Sequence, residues 1–197
     1  MLSSFEYFPT IIYRDERPEW VENCLTVSNK YFESQQHQGL ICQTDHMGND
    51  PDLKFLCDYL INSAYNVLGQ QGYNLSQYDL YLSGLWGQEI KGYGGTNVHV
   101  HKNSQISGWY FLQVNEKGAY PIFYDPRTNK QMIELGVITT SSVLNSTSSV
   151  HFNNVLPGTI LFSNSWMQHQ LGGGLEDGIS KTIHFIISHR DKLCNIC

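Results

Sequence analysis

The chain is short of charge: Asp, Glu, Lys and Arg make up only 15% of its 197 residues. The little charge present leans acidic, with a formal net of −6 and no run of Lys or Arg. A clear electrostatic footprint for duplex nucleic acid is therefore missing, which weakens nucleic acid as a partner and leaves a modified base open as a substrate. No apolar run reaches the roughly 18 residues of a membrane helix. The start, Met1-Leu2-Ser3-Ser4-Phe5-Glu6, has no basic segment of the kind that opens a secretion signal. These absences lead us to expect a cytoplasmic protein with no membrane partner. Paired cysteines are lacking as well. The five present, Cys24, Cys42, Cys57, Cys194 and Cys197, are odd in number and widely spaced, which argues against a disulfide framework. Cys194-Asn195-Ile196-Cys197 has metal or redox spacing but no second such pair, so a frayed end is the favoured reading.

Aromatics, by contrast, reach 13%, and there are 17 glycines, the balance of a compact, strand-rich enzyme. No repeat or composition break divides the chain. We expect a single domain over 1–197, with a strand and flanking helices in 1–70 and a β core in 71–190. Residues 1–13 read as an opening strand, and Arg17-Pro18-Glu19-Trp20 starts a helix running to about residue 33. The polar stretch 34–51 reads as a loop. Leu53, Leu56, Cys57, Leu60, Ile61, Ala64 and Val67 form one helical stripe between Asp52 and Leu68. Short strands are then expected at 79–88, 98–101, 106–114, 120–124, 132–138, 150–152, 159–162 and 182–188, with glycine and proline turns between them. That spacing fits a mainly β (α+β) jelly roll with the two N-terminal helices on one outer face. The Ser/Thr-rich stretch Thr139–Ser149 reads as an exposed loop or lid.

The chemistry concentrates in histidines. His99 and His101 stand two apart after Gly94-Gly95, and alternate residues of an extended chain point the same way. His169 closes the run from Pro157-Gly158, so a third imidazole can arrive from a distant strand and complete a facial metal site with open positions opposite. His37 and His46 fall in the polar loop, while His151 and His189 are weaker candidates. Lys181 begins the apolar strand Lys181-Thr182-Ile183-His184 and is either a snorkelling edge residue or a cation for an anionic ligand. His184 lies an odd step from it, on the opposite face, which suggests packing or support of a ligand.

These residues resemble the Fe(II)/2-oxoglutarate-dependent dioxygenase superfamily, and more closely an oxygenase branch found in phages and bacteria. The likeness is carried by Phe8-Pro9-Thr10, Trp86, His99/His101, Ser104, Ser107-Gly108, Tyr110-Phe111-Leu112, Phe123-Tyr124-Asp125-Pro126-Arg127, and Pro157-Gly158 through His169. It implies a double-stranded β-helix (a cupin-like jelly roll), Fe(II) as metal, 2-oxoglutarate as cosubstrate, and ascorbate as a supporting reductant. It further implies that His99 and His169 ligate iron, with His101 where most of the superfamily has Asp or Glu. Lys181 would take the usual arginine's role toward the far carboxylate of 2-oxoglutarate, with Tyr110 as hydroxyl donor and Arg127 next in line. Asp125 or Glu89 stays open as an alternative ligand. The expected activity is hydroxylation of a small molecule or peptide. Two rivals stand: a cupin-type three-histidine enzyme, although Gln105 stands where a cupin usually has Glu, and a non-catalytic metal-binding jelly roll.

Overall fold

The computed structural model describes residues 9–35, 39–127 and 148–192. Its strands are β1 (Ile12–Glu16), β2 (Ile41–Gln43), β3 (Tyr78–Lys91), β4 (Ile106–Val114), β5 (Tyr120–Tyr124), β6 (Ser149–His151), β7 (Thr159–Asn164), β8 (His169–Gly172) and β9 (Ile179–Asp191). Two helices, α1 (Val21–Glu33) and α2 (Lys54–Gln70), precede the long strands. Each follows a short 3-10 turn that begins with a proline, Pro18 or Pro51, whose missing N–H costs nothing in a first turn. Asp50 caps the second of these turns by accepting from Asp52 N at 2.9 Å.

Among the described residues, nine strands form two antiparallel sheets, ordered β1-β7-β4-β9-β3-β2 and β6-β5-β8. The helices cover one face of the larger sheet. Leu56, Leu60 and Ala64 of α2 and Cys24 and Val27 of α1 share a core with Tyr110, Leu112, Ile183, Phe185 and Ile187. The other face meets the smaller sheet. There Trp109, Phe111 and Leu161 pack with Phe123 and Leu171. Period-2 alternation along β4 and β9 sorts the residues between these two cores. Gly108 marks the tightest approach: a Cβ there would lie 1.9 Å from Leu161 O and 2.5 Å from the Phe185 ring.

The expected jelly roll is present, with its helices on one outer face. Differences lie at the edges. Of the expected opening strand 1–13, residues 1–8 lie outside the described residues; β1 begins at Ile12 and runs on to Glu16, because its partner is β7 and the register sets Ile12 against Ser163. Residues 41–43, expected as loop, add an edge strand to β3. Residues 98–101 form no strand. His99 makes a single bridge to His169, exchanging two backbone hydrogen bonds of 3.0 Å. The expected strand 132–138, nearly all of the expected lid (139–147), His37 and the Cys194–Cys197 pair lie outside the described residues. None of the described helices is long and apolar enough to cross a membrane.

Candidate metal centre

β8 begins at His169 and pairs it with Phe123 of β5 on one side and with His99 on the other. His101 is anchored two residues later, its N–H donating to Ser165 O at 3.0 Å. One donor atom from each of His99, His101 and His169 lies within 4.8 Å of the other two. Ring centroids are 4.6 Å apart for His99–His169, 4.9 Å for His99–His101 and 5.1 Å for His101–His169. His169 is wholly buried, while the other two are partly open to the surface.

Backbone carbonyls set the tautomers. His99 Nδ1 is 2.7 Å from Asn97 O, and His169 Nδ1 is 2.8 Å from Met167 O. A carbonyl only accepts, so each Nδ1 carries the proton and each Nε2 presents a lone pair. Such a partner on the far nitrogen is what orients a metal-binding imidazole. Burial, then the neighbouring His99, pushes His101 down to about 4. Burial, then His99 and His101, takes His169 to about 3. These two rings are therefore neutral at pH 7, and no proton has to leave before a metal binds. Among the described residues no carboxylate joins the group. The donor set fits one divalent ion of imidazole preference, including Fe(II), with positions left open.

A fourth imidazole stands beside them. His184 of β9 places Nε2 3.1 Å from His101 Nε2, and its ring is held 4.5 Å from Trp86 and 5.3 Å from Trp109. Alternation does put it opposite Lys181, as its position in the strand suggests. The consequence is that Lys181 faces the helices instead. Lys181 Nζ is 3.0 Å from Glu89 and from Asn29 of α1, and 5.4 Å from the centre of the Phe32 ring. Burial pushes the Glu89 carboxyl up, but its bonds to Lys91 (2.7 Å) and Lys181 outweigh that and leave it below its usual value. Tyr110 also faces the helices and donates its hydroxyl to Arg17 O at 2.6 Å. Arg127 grips Asp125 through two bonds, at 2.9 and 2.8 Å. The structure thus gathers His99, His101 and His169, and gives Lys181, Tyr110, Glu89, Arg127 and Asp125 other partners. The adjoining cavity, about 240 Å³, is lined by His99, His184, Trp86, Trp109, Gln43 and Gln88 among others, none of them acidic or basic beyond the histidines. Sequence reasoning did not find the Gln43–Gln88 wall. The signal lay in the β2–β3 pairing, which an apparent loop concealed.

Fold and site together define a jelly-roll protein with a three-histidine group that could hold a metal ion. Residues 84–177 match the family model described as "Putative 2OG-Fe(II) oxygenase". That match spans a little under half of the chain, and the solved structures similar to the whole of it show its fold, a double-stranded β-helix. Among similar solved structures is a Pseudomonas putida prolyl-4-hydroxylase, with 9% identity, TM-score 0.58, and coverage of 90% of this chain and 92% of that one. Another is the non-haem alpha ketoglutarate-dependent epimerase SnoN from nogalamycin biosynthesis, with 12% identity, TM-score 0.63, and coverage of 95% and 81%. A third is HygX from Streptomyces hygroscopicus with nickel, 2-oxoglutarate and hygromycin B bound, with 13% identity, TM-score 0.59, and coverage of 91% and 83%. No curated protein matches the chain by sequence.

Proposed function

We propose that this chain is a non-haem Fe(II)- and 2-oxoglutarate-dependent hydroxylase in which His99, His101 and His169 hold the iron. The observation that carries this reading is the convergence of their donor atoms within 4.8 Å, two of the rings being pre-set by carbonyls. Iron with 2-oxoglutarate and oxygen supplies the power to convert a substrate C–H to C–OH, releasing succinate and carbon dioxide. The protein's part is to position and to shield. The Asn97 and Met167 carbonyls hold two rings in aim, and Trp109 and Phe123 wall His169 off from water at centroid distances of 5.0 and 6.1 Å. The substrate class we assign is a small molecule or peptide. We place the protein in the cytoplasm of a bacterium or phage-infected host, the setting that the sequence resemblance implies. Of the rival readings, a cupin-type site would add a carboxylate to its imidazoles, and none joins them among the described residues.

The test is metal content of anaerobically prepared protein, followed by succinate formation from 2-oxoglutarate with Fe(II), ascorbate and oxygen. Wild type should hold about one iron per chain and turn over slowly without substrate. His169→Ala should do neither. Full turnover in that variant would remove the metal assignment, while metal binding without any 2-oxoglutarate consumption would favour a non-catalytic jelly roll.

A further inference from the structure

His184 is the imidazole that the metal assignment leaves unused. It is buried on β9, opposite Trp86 of β3 and Trp109 of β4, and borders the same cavity as His99. Its Nε2 lies 3.1 Å from His101 Nε2, which in turn lies 3.2 Å from His169 Nε2. It is nevertheless outside the converging group. Its ring centroid is 6.4 Å from that of His169, where His99 and His101 stand at 4.6 and 5.1 Å. His184 is placed as a neighbour of the ion, not as its holder.

The protons decide what such a neighbour does. Met167 O takes the Nδ1 hydrogen of His169, so His169 Nε2 is a lone pair that His101 Nε2 can satisfy only by donating. Once an ion draws the lone pairs of both rings, His101 Nε2 has neither a hydrogen to give nor a lone pair to share. His184 Nε2 must then find a different partner. The other end of its ring says which kind. His184 Nδ1 has no partner among the described residues, and neither has Trp86 Nε1, directly opposite with its ring 4.5 Å away. An indole N–H only donates, so a lone pair on Nδ1 is its matching neighbour, through solvent in the cavity. That puts the hydrogen of His184 on Nε2. No carboxylate joins the histidine group among the described residues to claim it. Resting on the metal assignment proposed above, we propose that His184 donates from Nε2 to the oxygen or anion that enters the open metal position beside His101. Three neutral imidazoles leave the ion its full positive charge, and an N–H aimed at the same place makes the site select anionic ligands. The two indoles that flank the ring, at 4.5 and 5.3 Å, hold that aim.

The experiment uses the full chain loaded with Co(II), whose visible absorption reports the coordination shell, and titrates it with azide as the probe anion. His184→Phe keeps a ring and removes the N–H, and His184→Leu does the same in a smaller volume, so that one folded variant suffices. His184→Gln restores an N–H near the place of Nε2. Cobalt affinity should stay within about threefold of wild type in all three, since no ligand is lost. Azide affinity should fall about 10- to 100-fold in the Phe and Leu variants, the range for a hydrogen bond to a charged group, and return to within about threefold in Gln. Azide binding in Phe or Leu equal to wild type, or a Gln variant as weak as Phe, would overturn the donor and leave the three-histidine centre and the oxygenase reading intact. So would a loss of cobalt affinity of more than about 100-fold in Leu, which would make His184 a ligand. Failure of wild type to bind cobalt would overturn the donor and the metal assignment together.

Discussion

On the face of β4 and β9 that meets the helices, Lys181 and Tyr110 have partners and the packing is close. Lys181 is bonded to Glu89 and Asn29, Tyr110 to Arg17, and Gly108 leaves no room even for a methyl group. The opposite face of the same strands borders a cavity of about 240 Å³. Of the nine buried side-chain atoms without a partner among the described residues, five lie there on β3 and β9. One face is packed and paired, and the other borders open volume with unpaired polar atoms. A site of this kind carries a cost in folding free energy that is recovered only when its ligand binds.

The sharpest break of the comparison is on the packed face. Gly108→Ala should destabilise by about 3 kcal/mol, at or beyond the top of the usual overpacking range, because the new Cβ meets backbone at Leu161. Urea denaturation would show this as a lower midpoint with an unchanged slope. Metal binding by the surviving folded fraction should be normal. On the other face, His169→Ala should leave the fold cooperative yet lower metal affinity by more than about 100-fold, since even outer partners of a ligand are worth about 10–100-fold. Calorimetric titration with Ni(II) measures it, and an affinity within tenfold of wild type would erase the distinction between the faces.

How much of this was legible in the sequence follows from the same division. The helix stripes, the strand positions and the three histidines were readable because each depends on local periodicity or on alternation within one segment. Alternation even separated Lys181 from His184. What it could not supply was which of the two faces meets the three histidines. That depends on β9 pairing with β3 and β4, which puts His184 between Trp86 and Trp109. Lysine in a strand is ambiguous until its partner is known, and the partner, Glu89, is 92 residues away, at 181 − 89. The strand at 41–43 was hidden for a related reason: three residues carry too little pattern, and the edge of β3 recruits them.

A middling effect is expected from Glu89→Gln. It removes the partner of Lys181 and Lys91 and should cost about 1–3 kcal/mol at pH 7, the range for hydrogen bonds to charged groups. The sign with pH follows from the depressed carboxyl. Its folded value lies below the ordinary 4.5, so its contribution is complete above about pH 4.5 and is lost as pH falls through the folded value. Stability measured by urea titration between pH 3 and 7 should therefore fall less steeply with acid in the variant. Parallel curves would mean that the pair does not stabilise the helix-facing side.

The smallest effect is also the most discriminating. Thr182 is buried in the strand row of Gln88 and Phe111, and its hydroxyl has no partner among the described residues. Valine is close to it in shape and carries no group to satisfy. Removing an unpaired buried hydroxyl recovers its desolvation cost, so Thr182→Val should change stability by less than about 1 kcal/mol and in the favourable direction. The same change on the helix-facing side, where hydroxyls such as that of Tyr110 are bonded, would be expected to cost stability. With ligand-free protein, a melting temperature equal to or slightly above that of wild type agrees with a face shaped for an occupant. A drop of several degrees would show that the hydroxyl is already used within the fold, and the contrast between the two faces would lose its physical basis.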